Sequence, residues 1–196
     1  MAVILMIFLL ALPASGAARG VQEKHVMAGP EYFFPSSVSI DFGGTVSWDF
    51  DGTDRTHSAK DGSGMELFDS GPVGPDGPSY VFTFAGAGSY PVICVQHENM
   101  NGRVNVTLRA GPTQGSVKGA FKVTWASQPA PEGFAYDVQV RAPGSSWRMW
   151  LDDVARPDAQ YRPGKDGIYR FRARMLRPEL AASADWSPAD AARVRS

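Results

Sequence analysis

The stretch Gly88-Ser89-Tyr90-Pro91-Val92-Ile93-Cys94-Val95-Gln96-His97-Glu98-Asn99-Met100-Asn101-Gly102-Arg103-Val104-Asn105-Val106-Thr107-Leu108 decides how this chain is read. Its two flanks each start at a glycine and are rich in β-branched and aromatic residues, so residues 88–94 and 102–108 are expected as strands. Between them, Cys94, His97 and Met100 put a thiolate, an imidazole and a thioether within seven residues, C-x-x-H-x-x-M. All three are soft or borderline donors that suit copper. Cys94 is the only cysteine, so it cannot form a disulfide within its own chain. A mononuclear copper site gives it a reason to be there.

The surrounding sequence reads as more strands. Residues 38–42 alternate apolar and polar, as a half-buried strand does. Gly43-Gly44 turns the chain into a strand at 45–50, which Asp51-Gly52 closes, and 80–84 reads as another. A polar stretch, 53–64, carries His57. Helical periodicity is absent. Short strands with turn signals every roughly 8–12 residues predict an all-β sandwich.

A type 1 copper centre needs two imidazole nitrogens and a thiolate near one plane, plus a weak axial ligand. His57, 37 residues before Cys94, is the natural second imidazole. Holding it on a separate loop lets the sandwich, not the metal, set the ligand geometry. The plainer readings are a Cys94 that is a small buried hydrophobe, a core Met100 and a solvated His57. Structural zinc sites use Cys and His without a thioether, so Met100 argues against zinc. His25, Met27, Met65 and Glu66 belong to no motif and are expected at the surface.

With these residues in place, the chain resembles the cupredoxins, within them the plastocyanin and amicyanin group. The likeness runs over about residues 28–109. It rests on Phe34-Pro35, Gly44-Thr45-Val46-Ser47-Trp48, His57, Phe68-Asp69-Ser70-Gly71, Tyr80-Val81-Phe82-Thr83-Phe84, the strand into Cys94, His97, Met100 and Gly102-Arg103-Val104. The two-residue gap between His97 and Met100 looks like the amicyanin loop. The resemblance implies a Greek-key β-sandwich holding one copper ion through His57, Cys94, His97 and Met100, with His97 as electron port. Two departures stand out. The family usually has Asn after the first histidine, where its amide ties the ligand loops together; here Ser58 is expected to tie them less firmly. Around His97, Gln96, Glu98 and Asn99 are polar where the family has an apolar docking patch.

The histidine and cysteine counts narrow the chemistry. Three histidines and no His-x-His pair leave no room for the extra copper sites of multicopper oxidases or copper nitrite reductases. One cysteine excludes a binuclear centre. His57-Ser58 lacks a nucleophile context such as G-x-S-x-G. The chain is therefore expected not to be an enzyme.

Length and charge patterning divide the chain. Its 196 residues suffice for one large or two small domains, and 43% hydrophobic with 20% charged residues is not a disordered composition. Residues 1–12 are an apolar run followed by Pro13 and small residues, which reads as a secretory signal peptide over 1–18. The run is short for a membrane span, which needs roughly 20 apolar residues. Extracytoplasmic location, in the periplasm or at the cell surface, is expected, with no stable span after signal removal. Gly111-Pro112 marks a linker at 111–116 between a domain at 21–110 and one at 117–196. Residues 18–111 carry 6 basic and 11 acidic side chains, residues 112–196 carry 13 and 9. Such a balance does not suit a nucleic-acid binder.

In the second half, 121–125, 136–141 and 169–175 alternate as strands. With Trp125, Tyr136, Gly167-Ile168-Tyr169 and Asp185-Trp186-Ser187-Pro188, this half resembles an immunoglobulin-like fibronectin type III module. By that resemblance Tyr169 forms a tyrosine corner. Arg170, Arg172 and Arg174 project from one face. Three uses stay open for them: a solvated basic surface, cation–π partners of Trp186, or a face for the acidic half, a partner protein or an anionic cell-wall polymer. The function expected is one-electron transfer between extracytoplasmic redox proteins. The alternatives are a copper carrier or store, and an adhesion protein without a redox role.

Overall fold

The computed structural model describes residues 22–195; the expected signal segment lies outside them. The first half contains β1 (Glu23–Ala28), β2 (Phe33–Phe34), β3 (Ser37–Asp41), β4 (Gly44–Asp49), β5 (Lys60–Asp61), β6 (Tyr80–Phe84), β7 (Gly88–Ile93) and β8 (Asn101–Thr107). The second contains β9 (Arg109–Gly111), β10 (Gln114–Gly115), β11 (Phe121–Thr124), β12 (Ala135–Arg141), β13 (Arg148–Val154), β14 (Asp158–Tyr161), β15 (Gly167–Arg177), β16 (Ala182–Ser183) and β17 (Asp190–Val194). Pro178–Leu180 forms one 3-10 turn. The chain is all-β, as its strand periodicity predicts. Among the described residues no helix is long and apolar enough to cross a membrane.

In the first half one sheet runs β2-β1-β4-β6 and the other β3-β8-β7-β5. Each contains a parallel pair, β1 with β4 and β3 with β8, so neither is a simple meander. The alternation at β3 turns Val38 and Ile40 inward while Ser37 and Ser39 stay exposed. Val46 and Trp48 do the same from β4, and Val104 and Val106 from β8. Trp48 stacks on Phe68 with ring centroids 5.5 Å apart, and Phe84 packs on Tyr90 at 5.0 Å. Burying each such ring contributes of order 2–3 kcal/mol, and aromatic pairing adds about 1 kcal/mol.

The second half is a three-stranded sheet, β14-β11-β9, and a larger one, β10-β17-β15-β12-β13, with β16 on β15. Phe121, Trp125, Tyr161, Tyr169 and Phe171 are buried between them. Tyr169 Oη donates to the Lys165 carbonyl at 3.0 Å and accepts from the Lys165 and Gly164 N–H groups. That ring thus fastens the chain ahead of β15 to the core. On the outer face of β15, Arg172 lies over Trp147 at 4.4 Å and over Trp186 at 4.9 Å, and Arg174 over Trp186 at 4.6 Å. Arg141 also lies over Trp147, at 5.1 Å. Of the three readings of the arginine face, the stacked one describes Arg172 and Arg174, with Trp147 as a second platform.

Residues 111–116, expected as a linker, include the end of β9 and all of β10, both paired into sheets of the second half. The halves also meet away from the chain crossing. Ala87 N–H donates to the Trp125 carbonyl at 2.7 Å, Ser127 N–H to Ala85 at 2.8 Å, and Ser89 and Asp185 exchange bonds at 2.9 and 3.0 Å. Arg103 reaches Asp185 at 2.6 Å, and Arg177 reaches Glu66 and the Met65 carbonyl. A Cβ on Gly86 would stand 2.3 Å from the Tyr136 ring, so glycine is what lets the first half's backbone lie against that ring.

Candidate metal centre

Cys94 follows the last residue of β7 and Met100 precedes the first of β8, adjacent antiparallel strands. The Cys94 N–H donates to the Met100 carbonyl at 3.0 Å and Met100 N–H to His97 at 3.4 Å, which closes the loop on itself. Its turn runs through Asn99 at φ 68°, a left-handed conformation that asparagine tolerates better than most residues. Short strands and a closed loop thus hold Cys94 and His97 on one side, with Met100 buried at the loop base.

His57 comes from the segment between β4 and β5. It is fully buried and exchanges two backbone hydrogen bonds with Val73, at 2.9 and 2.8 Å. The polar stretch 53–64 is therefore no solvated loop. Thr53, His57, Ser58, Ala59 and Asp61 are all buried, and Lys60–Asp61 forms β5 against β7. Met65, expected at the surface, is also fully buried. Asp61 accepts the Ser63 and Leu67 N–H groups and curls the intervening chain inward. His25 is exposed and bound to Asp49 at 3.0 Å, Met27 is half exposed, and Glu66 is on the surface.

His57, Cys94 and His97 come together: one ligand atom from each lies within 4.8 Å of the others. The Cys94 Sγ is 3.9 Å from His57 Nδ1 and 3.5 Å from His97 Nδ1. The two imidazoles stand 4.6 Å apart, tilted by 36°. His57 Nε2 is buried with no hydrogen-bond partner among the described residues. Burial, then the nearby His97, pushes the His57 pKa down. A buried neutral imidazole carries a lone pair on one nitrogen, and here Nδ1 is the nitrogen facing sulfur. Two such nitrogens and one sulfur are the donor set that copper favours, so these residues fit one metal ion.

Ser58 makes the connection between the loops. Its Oγ accepts the Val95 N–H at 2.9 Å, and its own N–H points at Cys94 Sγ at 3.4 Å. Ser58 is 1% exposed, and its short hydroxyl ties the two ligand loops through this one side-chain bond. Two residues at the site carried no ligand signal in the sequence. Gln96 folds back so that its side-chain oxygen is 3.4 Å from Sγ. Val73 lies far from any motif, yet anchors His57.

The chain matches no protein-family model and no curated protein sequence. Among solved structures it is similar to a purple cupredoxin from Nitrosopumilus maritimus, 23% identical, over 42% of this chain and 98% of that one, with a TM-score of 0.38. An oxidised amicyanin mutant is 21% identical over 47% of this chain and 87% of its own, also at 0.38. A copper-containing nitrite reductase from Thermus scotoductus SA-01 is 27% identical over 50% of this chain and 25% of its own, at 0.35.

Proposed function

We propose that this protein is an exported type 1 copper protein that carries single electrons between extracytoplasmic redox partners. The observation that carries the reading is the convergence of His57 Nδ1, Cys94 Sγ and His97 Nδ1 around one point, with His57 desolvated and otherwise unpartnered. A copper ion held there supplies a one-electron couple. His57 and Cys94, both buried, fix the donor geometry, and the Ser58 tie keeps their two loops from moving apart. His97 is partly exposed and is the proposed electron port. Met100, buried on the same loop, is the proposed axial ligand.

The domain reading is proposed alongside it: a cupredoxin domain at 21–110 and a fibronectin type III-like domain at 117–196. Support for the second comes from its sheet orders, β14-β11-β9 against β17-β15-β12-β13, and from the Tyr169 hydroxyl bonded back to the Lys165 carbonyl. Adding Cu(II) to the purified apo-protein tests the main reading. An intense blue or green colour that ascorbate bleaches reversibly supports electron transfer. Tight Cu(I) binding without colour would move the reading to copper carriage. Binding that survives Cys94→Ser would end it.

A further inference from the structure

Gln96 is exposed, on a loop whose other polar residues, Glu98 and Asn99, face solvent. Its carboxamide nevertheless turns back over Cys94, with Oε1 at 3.4 Å from Sγ. The sulfur has few other polar neighbours: the Ser58 N–H at 3.4 Å, the Ser58 hydroxyl at 4.0 Å and the two imidazoles. Ser58 and the histidines are held by the fold, whereas the Gln96 amide hangs on a flexible side chain and can turn.

That freedom matters because the sulfur changes character when a metal binds. As a thiol it is a weak donor, and a carbonyl oxygen suits it. As the metal's thiolate ligand it has no proton and only accepts. A carbonyl oxygen facing it would then be repelled. Rotating the Gln96 carboxamide about its terminal bond exchanges oxygen for NH2 at nearly the same position. The same side chain so serves both states.

We propose that Gln96 is a positioning and tuning residue of the centre, donating a side-chain N–H to the Cys94 thiolate once the metal is bound. This rests on the copper reading above. With the Ser58 backbone N–H it makes a pair of donors on one sulfur. Hydrogen bonds to the cysteine sulfur tune the potential of such centres. Each one draws charge off the thiolate, weakens its donation and favours Cu(I), so Gln96 raises the reduction potential.

The experiment measures the reduction potential and the visible and EPR spectra of the copper-loaded full chain, with wild type beside Gln96→Leu and Gln96→Glu. Both variants keep the coloured site, since Gln96 is on the surface and is not one of the three clustered donors. The potential falls in Gln96→Leu, which loses the donor, and falls further in Gln96→Glu, which puts a carboxylate of the same shape against the sulfur. Gln96→Asn, too short to reach, behaves like Gln96→Leu. An unchanged potential in Gln96→Leu overturns the proposal. A potential that rises in Gln96→Leu overturns it too, because that sign belongs to a side-chain oxygen that binds Cu(II) and is lost. A wild-type protein that takes up no copper, or takes it up without colour, is instead the failure of the copper reading and is seen before any variant is made.

Discussion

Strand β7 joins two regions of opposite character. At its start, four backbone hydrogen bonds cross to the second half, one between Ala85 and Ser127, one between Ala87 and Trp125, and two between Ser89 and Asp185. At its end, Cys94 meets two imidazoles, one of which, His57, also has a buried Nε2 without a partner among the described residues. Buried polar groups are nearly always hydrogen-bonded, and an exception calls for an explanation. The junction thus pairs backbone groups across the two halves, with Trp125 Nε1 and Tyr136 Oη buried beside it without a partner among the described residues, whereas the donor cluster gathers two imidazoles and a sulfur that could hold a metal ion. The lesson is that one short strand can be structural at one terminus and chemical at the other, about six residues or roughly 20 Å away at 3.3 Å per residue.

The sharpest way to break this contrast is at the reactive end. Cys94→Ser swaps the soft sulfur for a hard oxygen donor of similar shape. The expected outcome is complete loss of the intense Cys–Cu(II) absorption on copper titration. The melting temperature of the apo-protein should move by only a few degrees, since a change worth less than about 1 kcal/mol shifts it by roughly 2–4 °C at this chain length. A variant that still turns blue would show that the sulfur is not the chromophore.

At the junction end, Gly86→Val drives a side chain into the Tyr136 ring, where even a Cβ has only 2.3 Å. Overpacking of this kind costs typically 1–3 kcal/mol. Calorimetry should show the single transition of the full chain lowered or split in two, while the copper colour survives. Colour lost together with the junction would mean that the two ends of β7 are not independent.

Much of this organisation was legible in the chain. Alternation located β3, β11, β12 and β15, and turn glycines with runs of β-branched and aromatic residues located β4, β6, β7 and β8. The same rules explain what they missed. β1 opens with the polar run Glu23-Lys24-His25 and pairs in parallel with β4, so little of its length is apolar. β5 has two charged residues, and its Asp61 is buried to satisfy neighbouring N–H groups rather than to fill a core. At the site, His57, Cys94 and His97 were legible from residue type and spacing. Val73, Gln96 and the Ser58–Val95 bond were not, because they depend on backbone hydrogen bonds and a side-chain direction that no local pattern encodes. The junction was hidden for a similar reason. A Gly-Pro dipeptide marks a turn, yet says nothing of whether the halves beside it touch.

Ser58→Ala sharpens the comparison further. It removes the acceptor of the Val95 N–H, and Val95 itself is exposed. The expected cost is that of one ordinary hydrogen bond, about 0.5–1.5 kcal/mol. Its effect should concentrate at the reactive end: weaker Cu(II) retention in a chelator competition, with the junction's thermal transition hardly altered. Equal losses of stability and retention would mark Ser58 as a general core residue instead.

Arg55→Ala is the smallest change. Arg55 is two residues from His57 and pairs with Glu31 at 2.7 Å, a distance that invites a structural role. Both side chains are more than half exposed, at 51% and 65%. Exposed pairs of this kind contribute about 0–1 kcal/mol, and salt screens most of it. What holds His57 is the pair of backbone bonds to Val73 and the burial of its ring, neither of which Arg55 touches. The variant should therefore melt within about 2 °C of wild type and bind copper with unchanged colour at moderate salt. A loss as large as that of Ser58→Ala would mean that the rim charges, and not the buried hydrogen bonds, hold the reactive end of β7 in shape.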